Sequence, residues 1–139
     1  VVRSNSNISL GLFLLRFGLG LFLALWGINK IISPESSATL FARFYFLDLY
    51  PSVLMIIGAL QLVLSLLFML GMYKNITYAL ALALHVVATV GVFQEVISPF
   101  GDNIRYVSYI PVLFSFIVLF LLRNLDNRWT LSKKPKMFS

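Results

Sequence analysis

Four apolar runs decide what this chain can become, and they are read as helices over residues 8–32, 51–73, 75–97 and 104–123. The stretches 51–73, 75–94 and 106–122 contain no Asp, Glu, Lys or Arg. At a rise of about 1.5 Å per residue, each run spans or nearly spans a hydrocarbon core of about 30 Å. Backbone that crosses lipid must satisfy its own hydrogen bonds, which predicts helices rather than open strands. The expectation is an all-α fold, an integral membrane four-helix bundle forming a single domain over residues 1–139, with a basic tail over 124–139.

Composition narrows the chemistry. Hydrophobic residues make up 60% of the chain and charged residues 12%, against about 45–50% and 25% in soluble domains. Four spans within 139 residues leave no room for a separate soluble catalytic domain. With 0 Cys, disulfides, thiolate nucleophiles and Cys-held metals are excluded. A single His cannot supply the paired imidazoles of a metal or haem site. No metal site, no cofactor held by this chain alone and no catalytic centre of its own are expected. No Ser-His-Asp set, phosphate loop or dinucleotide fingerprint is present, and Gly18-Leu19-Gly20 lies inside a span where a Rossmann turn cannot form.

The first run follows Arg3, as a signal peptide would follow its basic start. It is too long for one, carries Arg16, and ends at Trp26-Gly27-Ile28-Asn29-Lys30 without a small-x-small cleavage site, so it is read as a retained helix. Alternating spans gather Arg3, Lys74, Arg123, Arg128, Lys133, Lys134 and Lys136 on one side and Lys30, Arg43 and Arg105 on the other. The positive-inside rule places both termini in the cytoplasm; the expected location is a bacterial or archaeal plasma membrane. Four of the five acids, Glu35, Asp48, Glu95 and Asp102, fall at the opposite, outer side. Trp26, Tyr45, Tyr50, Tyr106 and Tyr109 mark the outer interface, and Tyr73, Tyr78 and Trp129 the inner one. The connection over 33–50 is long and partly apolar, and is expected to lie flat on the outer surface or to cover the bundle mouth.

Within the first span, Arg16, Gly20, Leu23, Gly27 and Lys30 follow at spacings of 4, 3, 4 and 3, which puts them on one helical face. Gly11 and Gly18 fall on the opposite face, so two sides can admit close helix packing. Gly58, Gln61 and Ser65 form a matching face on the second span. Arg16, Gln61, His85 and Ser115 can share one depth, and such a ring would offer donors to a quinone headgroup or another amphipathic molecule. The competing reading is ordinary interhelical bonding, with Arg16 snorkelling or bonded to backbone carbonyls. Thr89 continues the polar face after His85. At the outer end, Asn29, Lys30, Asp48, Glu95, Asp102 and Arg105 form a candidate ion-pair cluster capping the bundle. The basic tail suits anionic phospholipid headgroups or an acidic partner surface, and no nucleic-acid groove accompanies it.

The run Leu15-Arg16, Leu19-Gly20, Phe22-Leu23, Trp26-Gly27, Asn29-Lys30 resembles the first helix of the DoxX family of small four-helix membrane proteins. Gly58-Ala59-Leu60-Gln61 followed by Leu70-Gly71 resembles that family's second block. The family often carries Glu at the position of Gln61, and a proton-carrying carboxylate there is not implied for this chain. The family includes the small membrane subunit of thiosulfate:quinone oxidoreductase, and more distant relatives act as membrane chaperones. The resemblance therefore implies a non-catalytic subunit of a larger membrane complex, respiratory or oxidoreductive, with other integral membrane subunits as partners and quinone or lipid as a possible ligand. A stand-alone small-molecule carrier and a membrane assembly factor are the alternatives.

Overall fold

The computed structural model describes residues 2–131, with side chains from residue 6 onward, and those residues form helices without strands. The order is α1 (Val2–Ile32), α2 (Pro34–Tyr45), α3 (Pro51–Met69), α4 (Lys74–Gly91), α5 (Phe93–Ile97), a 3₁₀ segment (Gly101–Ser108), α6 (Tyr109–Leu121) and a 3₁₀ turn (Arg123–Leu125). The Arg3 side chain and residues 132–139, with Lys133, Lys134 and Lys136, lie outside the described residues. Four helical stretches are long and apolar enough to cross a membrane: Ser6–Ile32, Pro51–Met69, Lys74–Gly91 and Gly101–Leu121.

Local chemistry explains where the spans depart from the apolar runs. The second ends at Met69 rather than at 73 because Gly71 adopts φ +67, and the amides of Met72 and Gly71 bond the carbonyls of Leu67 and Phe68 at 3.0 Å. That pairing closes a helix C-terminus and suits a glycine. The third breaks at Val92 and resumes as the short α5. The fourth begins as a 3₁₀ segment, and Pro111 supplies the reason: it has no amide for an α-helical bond to Val107, so regular α-helix cannot run through it from upstream.

The spans close into a ring in which α1 packs on α3, α3 on α4, α4 on α6 and α6 on α1. The α1–α3 contact is the tightest and is set by glycine. A Cβ added to Gly58 would lie 2.6 Å from the Gly27 carbonyl oxygen, and one on Gly27 would lie 3.0 Å from that of Gly58. One on Gly20 would overlap Met69 Cγ at 2.0 Å. Gly11 and Gly18, also expected at helix contacts, meet nothing within 4 Å. They lie on the face of α1 turned away from α3, so within this chain they pack no helix.

The core joins Leu12, Leu19 and Leu23 of α1 with Phe68, Tyr78, Ala81, Phe116 and Leu119. The connection over 33–50 contributes α2, whose end carries Phe46 in the left-handed region at φ 55. Tyr45 packs against Gly91, where a Cβ would fall 2.6 Å from its ring, and Phe44 lies 6.1 Å from the Tyr106 ring. Of the two placements expected for this connection, it therefore covers the mouth of the bundle.

Candidate functional site

Arg16 and Asp126 are both fully buried and form an ion pair at 2.5 Å. The pair sits at the bundle end that holds the start of α1, the α3–α4 turn and the chain after α6, called here the closed end. Arg16 lies four turns into α1, yet its Nε donates to the carbonyl of Met69, the last residue of α3, at 3.0 Å. Its depth is therefore that of a helix end and not the middle of the bundle. Nη1 donates to Asp126 Oδ1, and Nη2 donates to the carbonyls of Arg128 at 2.7 Å and Trp129 at 3.3 Å.

The second carboxylate oxygen, Oδ2, accepts from the Tyr78 hydroxyl at 2.6 Å. Lys74 Nζ donates to the Asp126 backbone carbonyl and, at 3.0 Å, to Asn127 Oδ1. Burial pushes the Asp126 carboxyl above its ordinary range, and the Tyr78 hydroxyl, the Arg16 guanidinium and the Lys74 ammonium each oppose that rise. An unpaired guanidinium at this depth would be costly, and every nitrogen of Arg16 has an acceptor.

These bonds seat the chain after α6 as a strap. Leu131 N–H donates to the Leu70 carbonyl at 2.9 Å, and Thr130 packs on Gly71, where a Cβ would fall 2.6 Å from Thr130 Cγ2. Trp129 takes φ 51, an unfavourable region for a residue with a side chain. Its ring meets Phe13 edge-on at 4.6 Å. At the start of the strap, Arg123 donates to Asn75 Oδ1 at 2.6 Å and to the Phe120 carbonyl at 2.8 Å. The basic tail, expected on anionic headgroups or an acidic partner, is folded onto the bundle as far as residue 131. The reason is its one acid, which pairs with the buried arginine.

The other sequence candidates have separate partners. Gln61 accepts from Lys30 Nζ at 2.9 Å and donates to the Leu23 carbonyl at 3.0 Å, which ties α3 to α1. His85 Nε2 donates its ring proton to the Tyr109 carbonyl at 3.0 Å, joining α4 to α6. Its ring stacks on Tyr109 at 5.5 Å and lies 5.4 Å from Phe116 and 5.8 Å from Phe22. Ser115 donates to the Pro111 carbonyl of its own helix at 2.7 Å. None of these four hydrogen-bonds to another, so they do not close into one polar ring: Arg16 lies two turns below the level of Gln61's partner Leu23. Thr89 likewise bonds within its helix, to the His85 carbonyl at 2.8 Å.

At the opposite end of the bundle, the loop end that holds α2, α5 and the 3₁₀ segment, the expected outer cluster is not an ion-pair network. Among the described residues the sole ion pair within 4 Å is Arg16–Asp126. Lys30 is engaged by Gln61, and Arg105 lies over the Tyr106 ring at 5.5 Å. Asn29, Asp48, Glu95 and Asp102 enter no ion pair there. Water solvates exposed charges well enough that pairing them gains little.

Sequence reasoning missed Asp126 as the partner of Arg16, and Tyr78 and Lys74 as partners of Asp126. The signal was present: Asp126 is the one acid on the side where the positive-inside count placed Arg3, Lys74 and the tail, and Arg16 is the one charge inside a span away from its ends. What the arrangement does chemically is hold: both carboxylate oxygens and all three guanidinium nitrogens are committed to intramolecular bonds.

Comparison with family models, curated proteins and solved structures gives no match.

Proposed function

We propose that this chain is a non-catalytic integral membrane subunit of a larger membrane complex, serving partner subunits as a rigid four-helix scaffold. The supporting observation is a division of labour among its side chains. Arg16, Asp126, Tyr78, Lys74 and His85 are used to bind the chain to itself, while large apolar side chains face outward. On α6 the outward stripe is Ile110, Phe114, Val118 and Leu121, and only 11% of the residues in the apolar window of that span are buried, against 33% in the first. A helix so little covered by its own chain offers most of its surface to lipid or to another subunit.

The respiratory or oxidoreductive character of the complex rests on the resemblance to the DoxX family alone. A quinone or lipid headgroup, in this reading, is met at Lys30 and Gln61. The pair is half-buried, and the Lys30 ammonium carries donors beyond the one given to Gln61. Cytoplasmic termini complete the proposal.

Mild-detergent extraction of native membranes, followed by isolation of the chain and mass spectrometry of what comes with it, tests this reading. A fixed stoichiometry with other integral subunits is expected. Isolation without partners overturns it in favour of a stand-alone carrier, and substoichiometric association overturns it in favour of an assembly factor.

A further inference from the structure

The strap over residues 122–131 carries one acid and two arginines, and the fold sorts them. Asp126 is turned inward, fully buried, and neutralised by Arg16. Arg123 and Arg128 remain partly exposed beside Leu125, Trp129 and Leu131, which are 56%, 65% and 64% exposed. The outward face is therefore cationic and apolar without an acid among the described residues. Arg16 fixes this presentation, because its Nη2 holds the backbone carbonyls of Arg128 and Trp129, while the indole rests edge-on against Phe13 and the Arg128 guanidinium lies over it at 4.7 Å. Lys133, Lys134 and Lys136 follow in the sequence and continue the same sign of charge.

The geometry points to an interfacial membrane-binding strap, with anionic phospholipid headgroups as its partner. An indole and two leucine side chains suit the boundary between headgroups and acyl chains, where Trp is favoured. The Arg128 guanidinium suits phosphate and other anionic headgroups by charge and by planar hydrogen bonding, and Arg123, whose Nε and Nη1 are engaged by Asn75 and the Phe120 carbonyl, adds its charge. The strap lies at the end of the spans, beside Met69 and Leu70 at the end of α3, which is the level of a membrane surface if the spans cross it. Arg16 acts here as a positioning residue: it touches the strap backbone and not the lipid.

This inference needs the bundle to sit in a bilayer but is independent of which subunit it serves. Co-purification can fail without touching it, and the reverse holds as well.

The full chain with Trp26→Phe keeps Trp129 as its single indole. Reconstituted into phosphatidylcholine vesicles containing a minority of phosphatidylglycerol, it reports the local lipid by fluorescence quenching. Headgroup spin labels are placed on one lipid or the other at matched mole fraction. Labelled phosphatidylglycerol is expected to quench Trp129 several-fold more than labelled phosphatidylcholine, with enrichment of roughly five-fold per arginine at low salt. Molar salt removes the excess, and the double variant Arg123→Gln, Arg128→Gln lowers it by the arginines' share; an excess unchanged in the double variant assigns the attraction to Lys133, Lys134 and Lys136 and overturns the role of the strap. Equal quenching by the two lipids overturns the anionic preference. Quenching by neither, together with a water-exposed indole spectrum or an indole shielded in a dimer of the chain, overturns the membrane contact altogether. The salt arm uses the unaltered arginines, so the test stands even if the double variant does not fold.

Discussion

The two ends of the bundle use charge in opposite ways. At the closed end, one acid and one arginine are removed from solvent and bonded to saturation, and the ion pair fastens α1, α3, α4 and the strap together. At the loop end, Asp48, Asp102 and Arg105 stay exposed and unpaired, and α2 covers the mouth mainly by aromatic contact, with Tyr45 on Gly91 and Phe44 near Tyr106. A charge stabilises a membrane bundle where burial forces it to choose a partner. Where water is available it has little to gain from choosing.

The largest test of this contrast removes the carboxylate. Asp126→Ala leaves the Arg16 guanidinium buried against carbonyls with no counter-charge and is expected to cost about 3–5 kcal/mol. The readout is the unfolding midpoint in detergent. Arg16→Met combined with Asp126→Leu should recover most of the loss, because the removed pair takes its desolvation cost with it. Parental stability in Asp126→Ala would break the comparison at its stronger side. Tyr78→Phe is the next step down. It deletes one hydrogen bond to a charged group and is expected to cost about 1.5–3 kcal/mol, with the same unfolding measurement and unchanged helical content.

A steric prediction of similar size applies between the two ends. Gly58→Ala drives a methyl to 2.6 Å from the Gly27 carbonyl, backbone that cannot rotate aside, so α1 and α3 must separate. A loss of about 1–3 kcal/mol is expected. Gly18→Ala has open space instead and exchanges glycine for a better helix former, for a gain of about 0.5–1 kcal/mol. A destabilising Gly18→Ala in the complex but not in the isolated chain would mark that face as a contact with a partner helix.

These paired glycines also show how far the sequence could be read. The apolar runs located all four spans, and the spacing of Gly20, Gly27 and Gly58 found the α1–α3 contact, because close approach of two helices requires small residues at helical period. The same pattern at Gly11 and Gly18 is no weaker as a sequence signal, yet it meets nothing in this chain. Periodicity reports which residues share a face and is silent on what covers that face. Depth failed for a related reason. Counting from the start of an apolar run places Arg16 at mid-depth, but α3 stops at Met69, four residues short of the run's limit of 73, and its terminal carbonyl meets the guanidinium. Asp126 lay beyond the last span, where one acid among basic residues looks like solvated tail until the chain is seen to turn back.

The smallest expected effect belongs to the loop end and is the one that can undo the comparison. Glu95→Gln and Arg105→Gln should each change stability by no more than about 0.5 kcal/mol, since neither side chain has an ion-pair partner to lose. Unfolding midpoints measured at low and high salt would check this, because a hidden network would give a loss at low salt that fades as screening increases. A loss above about 1 kcal/mol in either variant would show that the loop end draws its charges together once lipid surrounds it. The two ends would then differ in the depth of their ion pairs and no longer in whether they form them. If both variants are silent while Asp126→Ala is not, an ion pair holds this bundle at one end only, and the loop end is held by the aromatic cover of α2 and the Lys30–Gln61 hydrogen bond.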